Sequence, residues 1–154
     1  MKLESILFVA VIIVTSGCEH NGLDNNKRVA QQIIEADKAM SEMAAKEGFY
    51  KAILAFADDS IVKPNEGEFP IIGKTALAKH WRGKSGPITL SWEPFKAEAS
   101  ISGDIGYTLG NWKYITKDSI LYGNYYTVWK RHSDGSWRVI EDDGKNTPQL
   151  IKKE

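Results

Sequence analysis

The chain has 154 residues, 42% of them hydrophobic and 26% charged, which is enough for one globular domain with its own core. Its 20 basic residues balance its 20 acidic ones, so net charge predicts no attraction to nucleic acid. One cysteine and three separated histidines exclude an internal disulfide and a metal centre of the cysteine and histidine type, and no cofactor is expected.

The N-terminal 17 residues have the features of a bacterial signal peptide. Residues 6–14 form an apolar run, which is shorter than the roughly 20 residues needed to span a bilayer. Ser16 and Gly17 then lead into Cys18, an order that resembles the lipobox at which bacterial lipoproteins are cleaved and lipidated. An ordinary secretory signal or an uncleaved anchor is the alternative. We therefore predict a lipid on Cys18, a polar tether over residues 18–25, and a domain on the extracytoplasmic side of a membrane.

Helical periodicity dominates the next part of the chain. Apolar residues recur three and four positions apart over residues 25–46, which predicts an amphipathic helix. A second, mostly apolar helix is expected over residues 49–57 and a third over residues 74–82. Residues 60–63, between these two helices, are typical of a short strand.

Beyond Pro87 the apolar residues alternate with polar ones, which indicates strands. Helices therefore come first and an antiparallel meander follows, an order that predicts an α+β fold with a curved antiparallel sheet wrapped around about three N-terminal helices. A polar tail is expected over residues 147–154. The four predicted strands of the meander cover residues 88–101, 105–116, 120–132 and 136–143.

Several short motifs follow one another in a set order along residues 26–146. They are Glu35-Ala36-Asp37, Phe56-Ala57-Asp58-Asp59, Ile72-Gly73-Lys74, residues 102–107, Gly110-Asn111-Trp112, residues 126–131 and residues 134–139. Taken in order, they resemble the nuclear transport factor 2-like superfamily, in its SnoaL-like and ketosteroid-isomerase-like branch that includes domain of unknown function 4440. The resemblance implies a cone-shaped fold, in which helices close a strongly curved sheet and a pocket lies at the open end.

The same resemblance bears on catalysis. Ketosteroid isomerases use a general-base Asp together with an oxyanion pair formed by a Tyr and a protonated Asp. Counted along the motifs, these three positions hold Pro64, Met40 and Thr127 here. Proline and methionine cannot transfer or donate a proton, and threonine is a far weaker acid than a carboxyl group. The resemblance therefore implies no isomerase chemistry of that kind, and the sequence leaves open whether the protein is an enzyme.

Strand pairing predicts which side chains share the pocket face of the sheet. With two-residue turns at residues 118–119 and 134–135, Trp112 would oppose Tyr125, and opposed residues share a face. The resemblance places Thr127 at a pocket position, so its face is expected to line the pocket. The predicted ligand-binding residues are Tyr50, Trp81, Trp112, Tyr114, Tyr125, Thr127 and Trp129.

Two residues are candidates for proton transfer. Asp142 would oppose Thr127 among aromatic side chains, where loss of hydration raises the pKa of a carboxyl group. The alternative is that Asp142 binds a backbone amide or an arginine. His80, beside Trp81 on the third helix, is a candidate general acid or base, with a surface histidine next to a packing tryptophan as the alternative.

The outer face of the sheet is predicted to carry an apolar patch of Tyr126, Val128, Trp137 and Val139. Such a patch on a monomer usually marks an interface, and relatives in this superfamily often dimerise there, so a homodimer is expected. Three functions remain open: a lipid-anchored domain that binds a small, partly apolar molecule; a small isomerase, cyclase or hydrolase that uses Asp142 or His80; and a pocketless homodimeric interaction module of the cell envelope.

Overall fold

Three helices and six strands make up residues 18–148, the part of the chain that the computed structural model describes, with side chains described from residue 25. The predicted α+β fold is confirmed. The elements are α1 (Cys18–Glu47), α2 (Phe49–Phe56), β1 (Ala57–Lys63), β2 (Ile71–Ile72), α3 (Lys74–His80), β3 (Leu90–Ala99), β4 (Ile105–Ile115), β5 (Ile120–Arg131) and β6 (Trp137–Thr147).

The six strands form one curved, unclosed sheet in the order β2-β1-β6-β5-β4-β3. The predicted meander from β3 to β6 is present, with each strand antiparallel to the next. The sheet as a whole is mixed, because β1 pairs with β6 in the parallel direction. This parallel pairing brings the residues after α2 beside the first part of β6.

The core lies between α1 and the inner face of this sheet. Val29, Ile33, Met40 and Ala44 are each at most 1% exposed, and their spacing puts them on one side of α1. They form one apolar cluster with residues of α2, β1, α3 and the late strands, namely Ala52, Ile53, Ala57, Ile61, Leu77, Trp81, Trp129, Trp137 and Val139.

Element boundaries differ from the predicted ones at both ends of the domain. The helix α1 begins at Cys18, so the backbone of the segment expected to be a polar tether is helical. The strand β6 continues to Thr147, four residues beyond the predicted end at residue 143, because Gly144 and the residues after it pair with β5. The predicted signal peptide and the last residues of the chain lie outside the described residues.

The β4–β5 hairpin has a four-residue connection, residues 116–119, and the predicted two-residue turn is wrong. The hydroxyl of Thr116 accepts hydrogen bonds from the backbone N–H groups of Asp118 and Ser119 and so holds the longer turn together. Gly110 consequently opposes Tyr125, a shift of two residues from the predicted register. An even shift keeps every side chain on its predicted face.

The β5–β6 hairpin has the predicted pairing of Thr127 with Asp142, but its register shifts by one residue between Val128 and Trp129. Ile140 is the extra residue at this bulge, so Trp129 opposes Val139. A one-residue shift exchanges the two faces of a strand. The predicted outer-face position of Trp137 and Val139 is therefore wrong, since both are core residues that are 7% and 0% exposed.

Candidate functional site

A cavity of about 290 Å³ lies between the start of α2 and the inner face of the sheet. Its volume is just below the lower limit of the range for small-molecule sites, roughly 300–1,000 Å³. Most of its walls are aromatic or aliphatic, with charged groups along one side. The lining residues are Phe49, Lys63, Leu90, Trp92, Trp112, Tyr114, Tyr125, Asp142, Asp143 and Gly144.

Two glycines make room for the aromatic walls. Gly110 opposes Tyr125 across the β4–β5 ladder, and Gly123 opposes Trp112. A Cβ atom at Gly110 would overlap the Tyr125 ring, and one at Gly123 would overlap the Trp112 indole. Each ring therefore covers the glycine opposite it. Only a residue without a side chain permits this arrangement.

Asp37 lies behind the aromatic wall and is fully buried. Its Oδ1 accepts a hydrogen bond from the indole N–H of Trp92 at 2.6 Å, and its Oδ2 accepts one from the hydroxyl of Tyr125 at 2.9 Å. Burial raises the pKa of Asp37 to about 6, although hydrogen bonds from Thr108, Trp92 and Tyr125 act in the opposite direction. A carboxyl group that can exchange a proton near neutral pH is thus linked directly to two lining residues.

Asp142 and Lys63 form an ion pair in the cavity wall. The Lys63 Nζ lies 3.0 Å from Oδ2 of Asp142 and also donates a hydrogen bond of 2.6 Å to its backbone carbonyl. The hydroxyl of Thr127 donates to Oδ1 of Asp142 at 2.9 Å. Both carboxylate oxygens of Asp142 therefore have partners, which hold the group in a fixed position in the wall.

The structure brings four of the predicted site residues to the cavity: Trp112, Tyr114, Tyr125 and Asp142. Thr127 lies behind Asp142 and is fully buried.

The other predicted site residues lie outside the cavity lining. Trp129 is a core residue, 0% exposed, whose indole N–H donates to the hydroxyl of Thr108. Tyr50 and Trp81 stack on each other, with ring centroids 4.5 Å apart and planes 15° from parallel. His80 is exposed at the end of α3. Cys18 begins α1, and its side chain lies outside the described residues.

Sequence reasoning missed several residues that shape the site. Trp92 pairs with Trp112, so the alternation of β3 was a signal that could have placed it in the cavity. Asp37 is a carboxyl group on the apolar face of α1, between Ile33 and Met40. A charged residue at such a position was a second signal of a functional group. Lys63 reaches the cavity only through the parallel β1–β6 pairing, for which the sequence holds no local signal. The remaining lining residues that were missed are Phe49, Leu90 and Gly144.

Solved structures show the same arrangement of helices and sheet. A ketosteroid isomerase-like protein from Erwinia carotovora atroseptica matches with a TM-score of 0.60 and 17% identity, over 76% of this chain and 95% of that one. A protein of the nuclear transport factor 2-like type from Shewanella oneidensis, of unknown function, matches with a TM-score of 0.58 and 15% identity, over 74% and 96%. Another with a cystatin-like fold, from Novosphingobium aromaticivorans, matches with a TM-score of 0.58 and 12% identity, over 90% and 93%.

The chain has the nuclear transport factor 2-like fold. Identities this low show the fold alone. Neither a protein-family model nor a curated protein matches the sequence. Within residues 18–148, no helix is both long and apolar enough to cross a membrane.

A polar cluster lies at the other end of the sheet. The carboxylate of Asp58 accepts hydrogen bonds from the backbone N–H and the hydroxyl of Ser60, at 2.8 and 2.6 Å, and lies 2.6 Å from Nε2 of His132. Burial acts to raise the pKa of Asp58, but the bonds from Ser60 and His132 and the charge of Lys130 outweigh it and hold the pKa well below its ordinary value.

The outer face of the sheet carries a groove of about 450 Å³. The hydroxyl of Tyr126 donates to Glu141 at 2.9 Å on this face, and Lys96 pairs with Glu98 at 2.9 Å. The groove therefore combines partly buried apolar side chains with charged groups at its sides. Its lining residues are Glu98, Ala99, Ser100, Ile105, Gly106, Tyr107, Leu109, Tyr126 and Val128.

Proposed function

We propose that the protein is a lipid-anchored, extracytoplasmic domain that binds a small, partly apolar molecule in its cavity. The observation that carries this proposal is the cavity itself, with aromatic walls and the ion pair of Lys63 with Asp142 among them. Aromatic surface favours burial of an apolar ring, and a few placed polar groups favour one orientation.

The Lys63 ammonium can recognise a polar group on the ligand. It has three N–H donors. Two of them are directed to the carboxylate and the carbonyl of Asp142, so among the described residues a third is available to an acceptor on the ligand. The expected ligand therefore combines a flat apolar body with a hydrogen-bond acceptor or a negative charge at one end.

The direction of α1 is compatible with a lipid at Cys18. Gly103, in the β3–β4 turn, lies against Val29 near the start of α1, whereas Phe49 lines the cavity just beyond its end. The residues of α1 before Val29 add about 15 Å of helix at 1.5 Å per residue. In the proposed arrangement, the lipid and the cavity are at opposite ends of the domain, and a ligand reaches the cavity from the side away from the membrane.

A cavity-filling variant tests the binding proposal. L90W puts a large ring into the lining, whereas I88W adds the same ring at an exposed position two residues earlier. With 2-naphthol as the probe, calorimetry should show binding to the wild type and I88W and a loss of about tenfold or more in L90W, as expected when a pocket is blocked. Unchanged binding by L90W would place the probe elsewhere and contradict the proposal.

The anchor has its own test. In a bacterial host, the full chain should fractionate with membranes and carry a lipid mass on its N-terminal cysteine, whereas C18S should be soluble and unlipidated. Wild-type protein found in the soluble fraction without added mass would contradict the anchor and leave the cavity proposal intact.

We also propose a homodimer through the outer groove, with Tyr126 and Val128 joined there by Tyr107 and Leu109. A charged residue at the centre of such an interface would be buried without a partner. V128D should therefore give a monomer by light scattering, while I88D, at an exposed position outside the groove, should stay dimeric. A wild-type monomer at high concentration would overturn the dimer and also the interaction-module alternative.

The enzyme alternative has less support from the geometry. His80 lies outside the cavity lining, and both oxygens of Asp142 have partners. D142N with unchanged turnover of any identified substrate would remove Asp142 as its proton-transfer group.

A further inference from the structure

The cavity walls carry few hydrogen-bond donors that a ligand can use. The indole N–H of Trp92 is bonded to Asp37, and the indole N–H of Trp112 is bonded to the backbone carbonyl of Asn124 at 3.2 Å. Both tryptophans line the cavity, yet each has a single donor, which the protein itself occupies. They therefore offer a ligand their ring faces.

Tyr125 also has no hydrogen-bond donor that a ligand can use, but for a different reason. Its hydroxyl has one proton, and that proton is donated to Oδ2 of Asp37. Asp37 has no exposed surface, so no water can replace this partner without opening the core. Tyr125 lines the cavity, and its oxygen keeps its acceptor capacity while its only donor is taken by Asp37.

We propose that Asp37 sets the polarity of the cavity by holding Tyr125 as a hydrogen-bond acceptor. The site then selects ligands whose ring carries a hydroxyl or N–H donor at the end that meets Tyr125. Asp37 touches no ligand and acts as a positioning residue, and the inference rests on the proposed binding function of the cavity. Together with Lys63, it defines a ligand with a donor at one end and an acceptor at the other.

The charges around Asp37 are consistent with this arrangement. Asp142 on β6 is the neighbouring carboxylate and is itself paired with Lys63 on β1. Burial and the nearby Asp37 charge raise the pKa of Tyr125, and Glu93 on β3 acts in the same direction, so the phenol keeps its proton. The proton between Tyr125 and Asp37 thus belongs to the tyrosine at neutral pH.

A pair of matched probes tests the proposal. The probe 2-naphthol has a hydroxyl donor, and 2-methoxynaphthalene has the same rings and an acceptor only. By calorimetry at neutral pH, the wild type should bind 2-naphthol about 3- to 10-fold more tightly, the range of one net hydrogen bond. The preference should disappear in Y125F and persist in Y122F, which removes the hydroxyl of a tyrosine on the same strand that does not line the cavity.

The D37N variant distinguishes a positioning role of Asp37 from a merely structural one. An amide donates to the Tyr125 oxygen and frees the tyrosine proton for the cavity, so 2-methoxynaphthalene should bind D37N more tightly than it binds the wild type. Damage to the fold would weaken both probes. A wild type that binds both probes equally, or a preference that survives in Y125F, would overturn this inference and leave the binding function standing. Binding of neither probe would overturn both.

Discussion

Gly123 lies directly opposite Trp112 in the β4–β5 ladder, and the indole covers the space that a side chain at position 123 would occupy. Gly110 and Tyr125 repeat the relationship two residues along β4 and β5. The aromatic walls of the cavity thus depend on the glycines of the neighbouring strand as much as on the aromatic residues themselves.

Alanine at position 123 should therefore destabilise the fold and deform the cavity. Its Cβ would meet both the indole of Trp112 and the carbonyl oxygen of Lys145, and overpacking of this kind costs about 1–3 kcal/mol. Urea unfolding should show this loss in G123A, with weaker binding of 2-naphthol. G144A is the matched control, because its Cβ would lie 3.0 Å from the Asn124 oxygen and 3.1 Å from the Trp112 indole nitrogen, so its loss should be smaller. Equal stability of the two variants would contradict the prediction.

The buried carboxyl of Asp37 should make stability fall as the pH rises toward neutrality. Its folded pKa of about 6 lies above the ordinary value of 3.8, so the folded state binds the proton more tightly than the unfolded chain does. This contribution is fully present below about pH 4 and is lost as the pH rises through 6, by up to roughly 3 kcal/mol at 1.36 kcal/mol per pH unit.

D37N should remove this part of the pH dependence. Between about pH 4.5 and 7.5, the free energy of unfolding of the wild type should decrease relative to that of D37N, measured by urea titration. E35Q, which changes an exposed carboxyl group on the same helix, should follow the wild type. A constant difference between wild type and D37N over this range would show that Asp37 titrates elsewhere.

Lys63 and Asp142 should show strong energetic coupling. Their side chains are only 14% and 11% exposed, so K63M would leave a nearly buried carboxylate without its cation, at a cost of about 1–3 kcal/mol. The same change in a D142N background should cost clearly less, and the double-mutant cycle measures the difference. K145M breaks an exposed pair of 3.7 Å with Asp143 and should have almost no effect. A coupling energy near zero would contradict the role assigned to the pair.

Asp58 should contribute to stability above about pH 4 and lose this contribution in acid. Its folded pKa lies below the ordinary value of 3.8 because Ser60, His132 and Lys130 stabilise the carboxylate, so protonation costs these contacts as the pH falls. Thermal melts should show a shallower acid decline for D58N than for the wild type. D59N alters the exposed neighbour and should decline like the wild type. Parallel curves for all three proteins would refute the prediction.

The sequence by itself determined the order of the elements and the face of most strand residues. Helical spacing located the buried face of α1, and alternation located β4 and β5 to within a residue or two, because both signals depend only on neighbours along the chain. Trp112, Tyr114 and Tyr125 stayed on the predicted face, even though the β4–β5 register was wrong, because a shift of two residues does not change parity.

Only the tertiary structure decided that Ile140 forms a bulge in β6. It alone also decided the polar contacts of the cavity. One extra residue at the bulge exchanged the faces of Trp137 and Val139, and no local pattern signals it. Asp37 contacts Tyr125 at a sequence separation of 88 residues, and Lys63 contacts Asp142 at a separation of 79 residues. Such contacts arise from the packing of α1 on the sheet and from the parallel pairing of β1 with β6. Residue spacing predicts neither the packing nor the pairing, because each depends on how elements that are far apart in the sequence pack together.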